Sequence, residues 1–205
     1  MPADRRHLVR TALRLSYLTI AWNFAAGASA LVLALVAGSL SLGGFALSTL
    51  IDMGASVALV WRFMMEARDP AAAERLERRA EALIGEAMLA AALFRAVESV
   101  RALVERTHPD ASLGGLVVGS ASLVFLPPLA RAKWRVAAGL GSRALRGDAI
   151  LTAASSMLAL LTLVALVLNR YAGWWWADAV AALAIAVALA SEALRAASDV
   201  GRRSR

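Results

Sequence analysis

The sequence predicts an all-α membrane protein of six transmembrane helices. Three observations carry this. Sixty per cent of the 205 residues are apolar, where a soluble domain holds nearer 45–50%. The apolar residues fall in separated runs of about 18–25, the length that crosses a hydrocarbon core. The basic residues gather in alternate connections between those runs, as the charge rule for membrane topology requires.

Residues 1–12 form a polar, basic head with Arg5, Arg6 and Arg10. The first apolar run extends from about Leu13 to Gly38. Ala28-Ser29-Ala30 has the form of a signal-peptide cleavage site, but the run continues to Val36 without a polar break, which argues for a retained helix. Ala26, Ala30, Ala34 and Gly38 make a small-residue stripe suited to helix contact. Helix 2 covers about Ser41 to Met64, joined to helix 1 by the tight link Gly38-Ser39-Leu40-Ser41. Near its middle lies Asp52. A bare carboxylate at that depth costs roughly 2.5–3.5 kcal/mol, so Asp52 needs an interior position and a partner. Ser48 and Ser56, four residues to either side, share its face.

Residues 66–81 read as a charged helical arm, with Asp69-Pro70 as its start signal. Helix 3 follows over about Ala82 to Val104 and carries Glu86, Arg95, Glu98 and Arg101. Arg95 and Glu98, three apart, are placed to pair on one face, either as a neutralised ion pair or as part of an ion path. A polar loop containing His108-Pro109-Asp110 leads to helix 4, about Leu113 to Leu129, which Pro127-Pro128 should kink or end. Arg131, Lys133, Arg135, Arg143 and Arg146 then form a basic connector. Helix 5 runs from about Asp148 to Leu168, with Asp148 stabilised by the helix dipole at its start. Trp174-Trp175-Trp176 suits an interfacial belt, and Asp178 caps helix 6, about Ala179 to Leu194. Ala182, Ala186 and Ala190 form a second small-residue stripe.

Six spans put both termini on one side. That side holds eighteen basic residues against three in the opposite loops, which places the termini in the cytoplasm. The expected organisation is a head (1–12), one membrane domain (13–195) and a short basic tail (196–205), in a multi-pass protein of the cell inner (plasma) membrane. The net charge of +7 belongs to topology, since no basic stripe stands clear of the spans for nucleic acid. No cysteine and two histidines outside the apolar runs exclude thiolate and buried histidine-rich metal sites. No Ser/His/Asp set or Gly-rich phosphate loop supports an enzyme.

Several stretches resemble one family, the cation diffusion facilitators, which are proton-coupled exporters of zinc and related divalent metals. They are Ala37-Gly38-Ser39 leading into Gly44-Phe45, Ser48 through Ser56, Gly141 through Asp148, and Trp175 through Leu183. The resemblance covers about residues 13–195. It is nearest to a short bacterial branch without the cytoplasmic domain, to which Tyr17 through Asn23 and Leu129 through Lys133 are similar. It implies a tetrahedral transport site of two side chains four apart on helix 2 and two on helix 5. Those positions fall on Ser48 and Asp52, and on Leu151 and Ser155. Leu151 cannot ligate and the serines are weak neutral ligands, so the site is thinned. The expected centre is Asp52 as anchor with Ser48 and Ser155, and Asp148 or Thr152 adding oxygens. Its cargo would be a divalent metal ion, zinc foremost, with no permanently bound cofactor. The resemblance also implies a homodimer, or a heterodimer with a related transporter. The alternative is a transport-inactive relative serving as membrane partner of an intact transporter.

Overall fold

A computed structural model describes residues 3–37, 40–106 and 113–203. The described residues form six α-helices: α1 (Ala3–Ala37), α2 (Leu40–Arg68), α3 (Ala73–Glu105), α4 (Leu113–Leu140), α5 (Arg143–Ala172) and α6 (Ala177–Arg203). There are no strands among the described residues. The link through Gly38 and Ser39 and the His108-Pro109-Asp110 loop lie outside the described residues. Five helices are long and apolar enough to cross a membrane; α3 is as long but carries too many charges to qualify by composition. Its most conspicuous charge, Arg95, is buried inside the bundle. The most extensive contacts pair α3 with α6, α1 with α2 and α4 with α5. Of the α6 stripe, Ala190 packs against the core that includes Ile185 and Leu189, and Ala186 is buried.

The helices outrun the expected spans. The 28 residues of α4 would extend about 42 Å at 1.5 Å per residue, well past a hydrocarbon core of roughly 30 Å. The expected stop at Pro127-Pro128 does not occur: both prolines lie inside α4 and the helix continues to Leu140. Each proline removes one N–H, but the turns on either side are held by their own ladder and by packing on α5, so the interruption stays local. All five residues of the expected basic connector are therefore helical: Arg131, Lys133 and Arg135 in α4, and Arg143 and Arg146 in α5.

The start of α5 also moves. Ser142 is its N-cap, extended in backbone, with Oγ accepting from the Leu145 N–H at 3.1 Å. Glu77, reaching across from α3, accepts from Ser142 Oγ at 2.9 Å and from the Ala144 N–H at 3.0 Å. A carboxylate there complements the helix dipole. With the helix starting at Arg143, Asp148 lies in its second turn and faces the interior. It is not the carboxylate at the helix start expected from the sequence. Asp69 begins a 3-10 turn, Pro70–Ala72, rather than α3 itself, its Oδ1 accepting from the Ala71 N–H at 3.1 Å. Asp178 sits inside the first turn of α6, where its Oδ1 accepts from Thr162 Oγ1 on α5 at 2.9 Å.

One end of the bundle is tied by buried ions. Arg5 Nη2 on α1 lies 2.7 Å from Glu66 Oε1 on α2. Arg62 Nη1 reaches Glu66 Oε2 at 2.8 Å, and its Nε reaches Glu77 Oε2 on α3 at 2.6 Å. Because Glu77 also holds the start of α5, the network joins four helices.

The core is close-packed where α5 meets α3. A Cβ on Gly147 would lie 2.8 Å from Ile84 Cγ2, and Ile84 is buried and stiff at its branch. Gly147→Ala is therefore expected to lower stability. Overpacking costs about 1–3 kcal/mol, against a gain of about 1 kcal/mol in helix propensity. Thermal unfolding in detergent checks this: a midpoint at or above the original would refute the clash, and Ile84→Val added to Gly147→Ala should restore much of the loss.

Candidate cation site

The polar groups of the interior form two linked clusters, each a carboxylate with its own tethered cation. The first gathers at Asp52. Arg95 Nη2 donates to Ser48 Oγ at 2.9 Å and to Ser155 Oγ at 3.3 Å, and lies 3.9 Å from Asp52 Oδ2. Ser155 Oγ in turn donates to Asp52 Oδ2. The pairing of Arg95 with Glu98 read from their spacing is replaced by this one. The reason is geometric: α3 packs against both α2 and α5, and Arg95 is turned into that seam. Of the positions expected to form a transport site, Ser48, Asp52 and Ser155 thus do come together, and a guanidinium nitrogen sits among them.

The second cluster gathers at Asp148. Lys133 Nζ, from the unbroken C-terminal half of α4, lies 2.5 Å from Asp148 Oδ2 and donates to Thr152 Oγ1 at 3.0 Å. Ser56 Oγ on α2 donates to Asp148 Oδ1 at 2.9 Å. Lys133 and Asp148 are 0% and 1% exposed, so neither charge has water to fall back on. The stripe of Ser48, Asp52 and Ser56 is divided between the clusters, with Ser48 serving the first and Ser56 the second. Thr152 bridges within the second cluster, donating to the Asp148 carbonyl at 2.9 Å.

A small cavity joins the two. It is lined by Thr19 and Asn23 of α1, Asp52 of α2, Leu126 of α4, and Asp148, Leu151, Thr152 and Ser155 of α5. Its volume of about 10 Å³ is room for the centre of one water-sized guest. Leu151, at the fourth expected ligand position, is buried on the wall and offers no donor atom. Among the described residues no three His, Cys, Asp or Glu side chains converge on a point. Every donor the cavity offers is oxygen or an amide. Arg95, Lys133, Thr19 and Asn23 were not among the expected site residues. The α1 pair had a signal in the sequence: Ser16, Thr19 and Asn23 recur at three and four residues within an apolar run, and all three are buried.

A family model for the cation efflux transmembrane domain matches residues 16–203. The chain belongs to the cation efflux family. Among curated proteins no relative matches it. The family assignment gives the clusters their context, since this cation efflux domain keeps a carboxylate at Asp52 on α2 while filling the space beside it with Arg95. Chemically, a buried carboxylate already balanced by a cation attracts a metal ion less than a bare one, because the incoming charge meets repulsion from the resident one.

Proposed function

We propose that this chain carries a divalent metal cation, zinc or a similar ion, out of the cytoplasm by alternating access, with Asp52 as the anchoring ligand. The observation that supports this best is the pair of buried carboxylates, Asp52 and Asp148, opening on one cavity inside a cation efflux domain. Ser48, Ser155 and Thr152 are the neutral oxygens within that centre. Protons would drive the exchange by competing with the metal for the carboxylates. The bias of basic residues toward the end holding the N-terminus supports cytoplasmic termini in a plasma membrane. The reading is of a carrier and not of an enzyme, and a dimer with a second copy or a related transporter accords with it.

A second reading has its own observation. Arg95 and Lys133 neutralise both carboxylates without any metal. That suits a transport-inactive relative that partners an intact transporter.

Flux separates the two. Purified protein in proteoliposomes, offered zinc, cobalt, manganese and iron(II) across an imposed pH gradient, is expected to move at least one metal, and Asp52→Ala is expected to bring that flux to background. Folded protein that moves none of them would overturn the transporter reading in favour of the partner.

A further inference from the structure

We propose that the cation binds in the small cavity at the open oxygen of Asp52, in a site completed by Asn23 and Thr19 of α1, and not in the seat that Arg95 holds between Ser48 and Ser155. The inference rests on the transporter reading. Between Ser48 and Ser155 the seat is taken: Arg95 Nη2 is hydrogen-bonded to both. A guanidinium cannot be discharged by losing a proton. A metal entering that seat would have to evict Arg95 bodily and break both bonds.

The other oxygen of Asp52 is open. Asp52 Oδ1 is buried and has no hydrogen-bond partner among the described residues. Asn23 Nδ2 is buried and equally without one. Unpaired buried polar atoms are uncommon because each costs the desolvation it never recovers. Here two of them belong to residues that line the same cavity. Thr19, four residues before Asn23 and so on the same face of α1, lines it too. Its hydroxyl donates to the Leu15 carbonyl at 2.9 Å, which leaves its lone pairs available. The Asn23 amide presents oxygen as readily as nitrogen after a half turn. The cavity then offers a carboxylate oxygen, an amide oxygen and a hydroxyl oxygen around a space of one water-sized guest.

This donor set names the class of cargo. Carboxylate, amide and hydroxyl oxygens suit hard divalent ions such as manganese(II) and magnesium, whereas zinc draws its affinity from imidazole and thiolate. Arg95 then acts as a positioning residue: with Ser155 it engages Oδ2 of Asp52 and leaves Oδ1 as the open oxygen.

The test is equilibrium binding of manganese(II) to the detergent-purified chain, followed by the loss of its free-ion magnetic resonance signal, with magnesium as competitor. Asn23→Leu is expected to weaken binding at least about tenfold, the usual scale for losing a group at or next to a metal, while Arg78→Ala, at an exposed ion pair outside the cavity, leaves it unchanged. Asn23→Asp, which adds a charge at the same place, is expected to tighten binding, a gain that misfolding cannot mimic. Binding weakened by Ser48→Ala and unaffected by both Asn23 variants would put the ion in the seat of Arg95 and overturn the inference. Metal flux that persists undiminished in Asn23→Leu would overturn it while leaving the transporter reading intact. Neither binding nor flux in the parent chain would remove both, and leave a single water as the occupant of the cavity.

Discussion

Lys133→Met is expected to be among the most destabilising single changes in this protein. The side chain removed is wholly buried, and its partner Asp148 would be left as a charge with almost no access to water. Ser56 still donates to Asp148, but one neutral hydrogen bond does not replace an ammonium. Breaking a buried ion pair from one side costs about 3–5 kcal/mol. Replacing both partners is different, because an apolar or neutral pair of similar size is often no worse than the ions. Lys133→Met combined with Asp148→Asn should therefore recover much of the loss, and the thermal unfolding midpoints of the two single variants and the double variant in detergent measure the coupling. A Lys133→Met chain that unfolds with the parent would show that Asp148 does not depend on this cation.

Arg62→Leu is expected to have an effect of similar size at the end of the bundle. Arg62 is 3% exposed and bridges Glu66, 1% exposed, to Glu77. Its loss frees two carboxylates together, and among the described residues only Glu66 has a second cation, Arg5. Glu77 would retain the Ser142 hydroxyl and the Ala144 N–H, so the start of α5 is weakened through its cap. We expect a destabilisation of about 3–5 kcal/mol, little altered by added salt because the pairs are shielded from it. Arg78→Ala is the contrast. Its i,i+4 partner Glu74 is on the surface, where such pairs contribute about 0–1 kcal/mol, so that variant should unfold with the parent. Equal losses for Arg62→Leu and Arg78→Ala would show that burial does not set the strength of this network.

The number of helices and the inward turn of Asp52 were legible in the sequence because both follow from the cost of exposing the wrong group to lipid. A run of apolar residues fixes a helix, and a carboxylate within it demands a partner. Which partner was not legible. Spacing along one helix offered Glu98 to Arg95, yet the pairing that forms crosses from α3 to α2 and α5, and no local pattern encodes a contact between distant segments. Lys133 was hidden for another reason. Pro127-Pro128 is a strong stop signal in water, but inside a packed bundle neighbouring helices carry the chain through it, and a residue assigned to a connector becomes the counter-ion of Asp148. Asp148 itself was misread by a shift of five residues in where α5 begins. That shift depends on Glu77 capping from another helix, again a contact no local window contains. The α1 contribution was within reach, since the recurrence of Ser16, Thr19 and Asn23 marks a polar seam.

The matched clusters have an electrical consequence. With Asp52 and Asp148 ionised and Arg95 and Lys133 charged, the centre carries no formal charge when empty. In the proposed carrier, a return step with the centre empty would move no net charge of these four groups through the membrane field, whereas a return with a proton on a carboxylate would carry that proton's charge. The loaded form carries the full charge of its cargo, and each elementary charge moved is worth about 2.3 kcal/mol per 100 mV. An exporter of this kind, working against an inside-negative potential, would meet the charge of its cargo as an electrical load in the outward step.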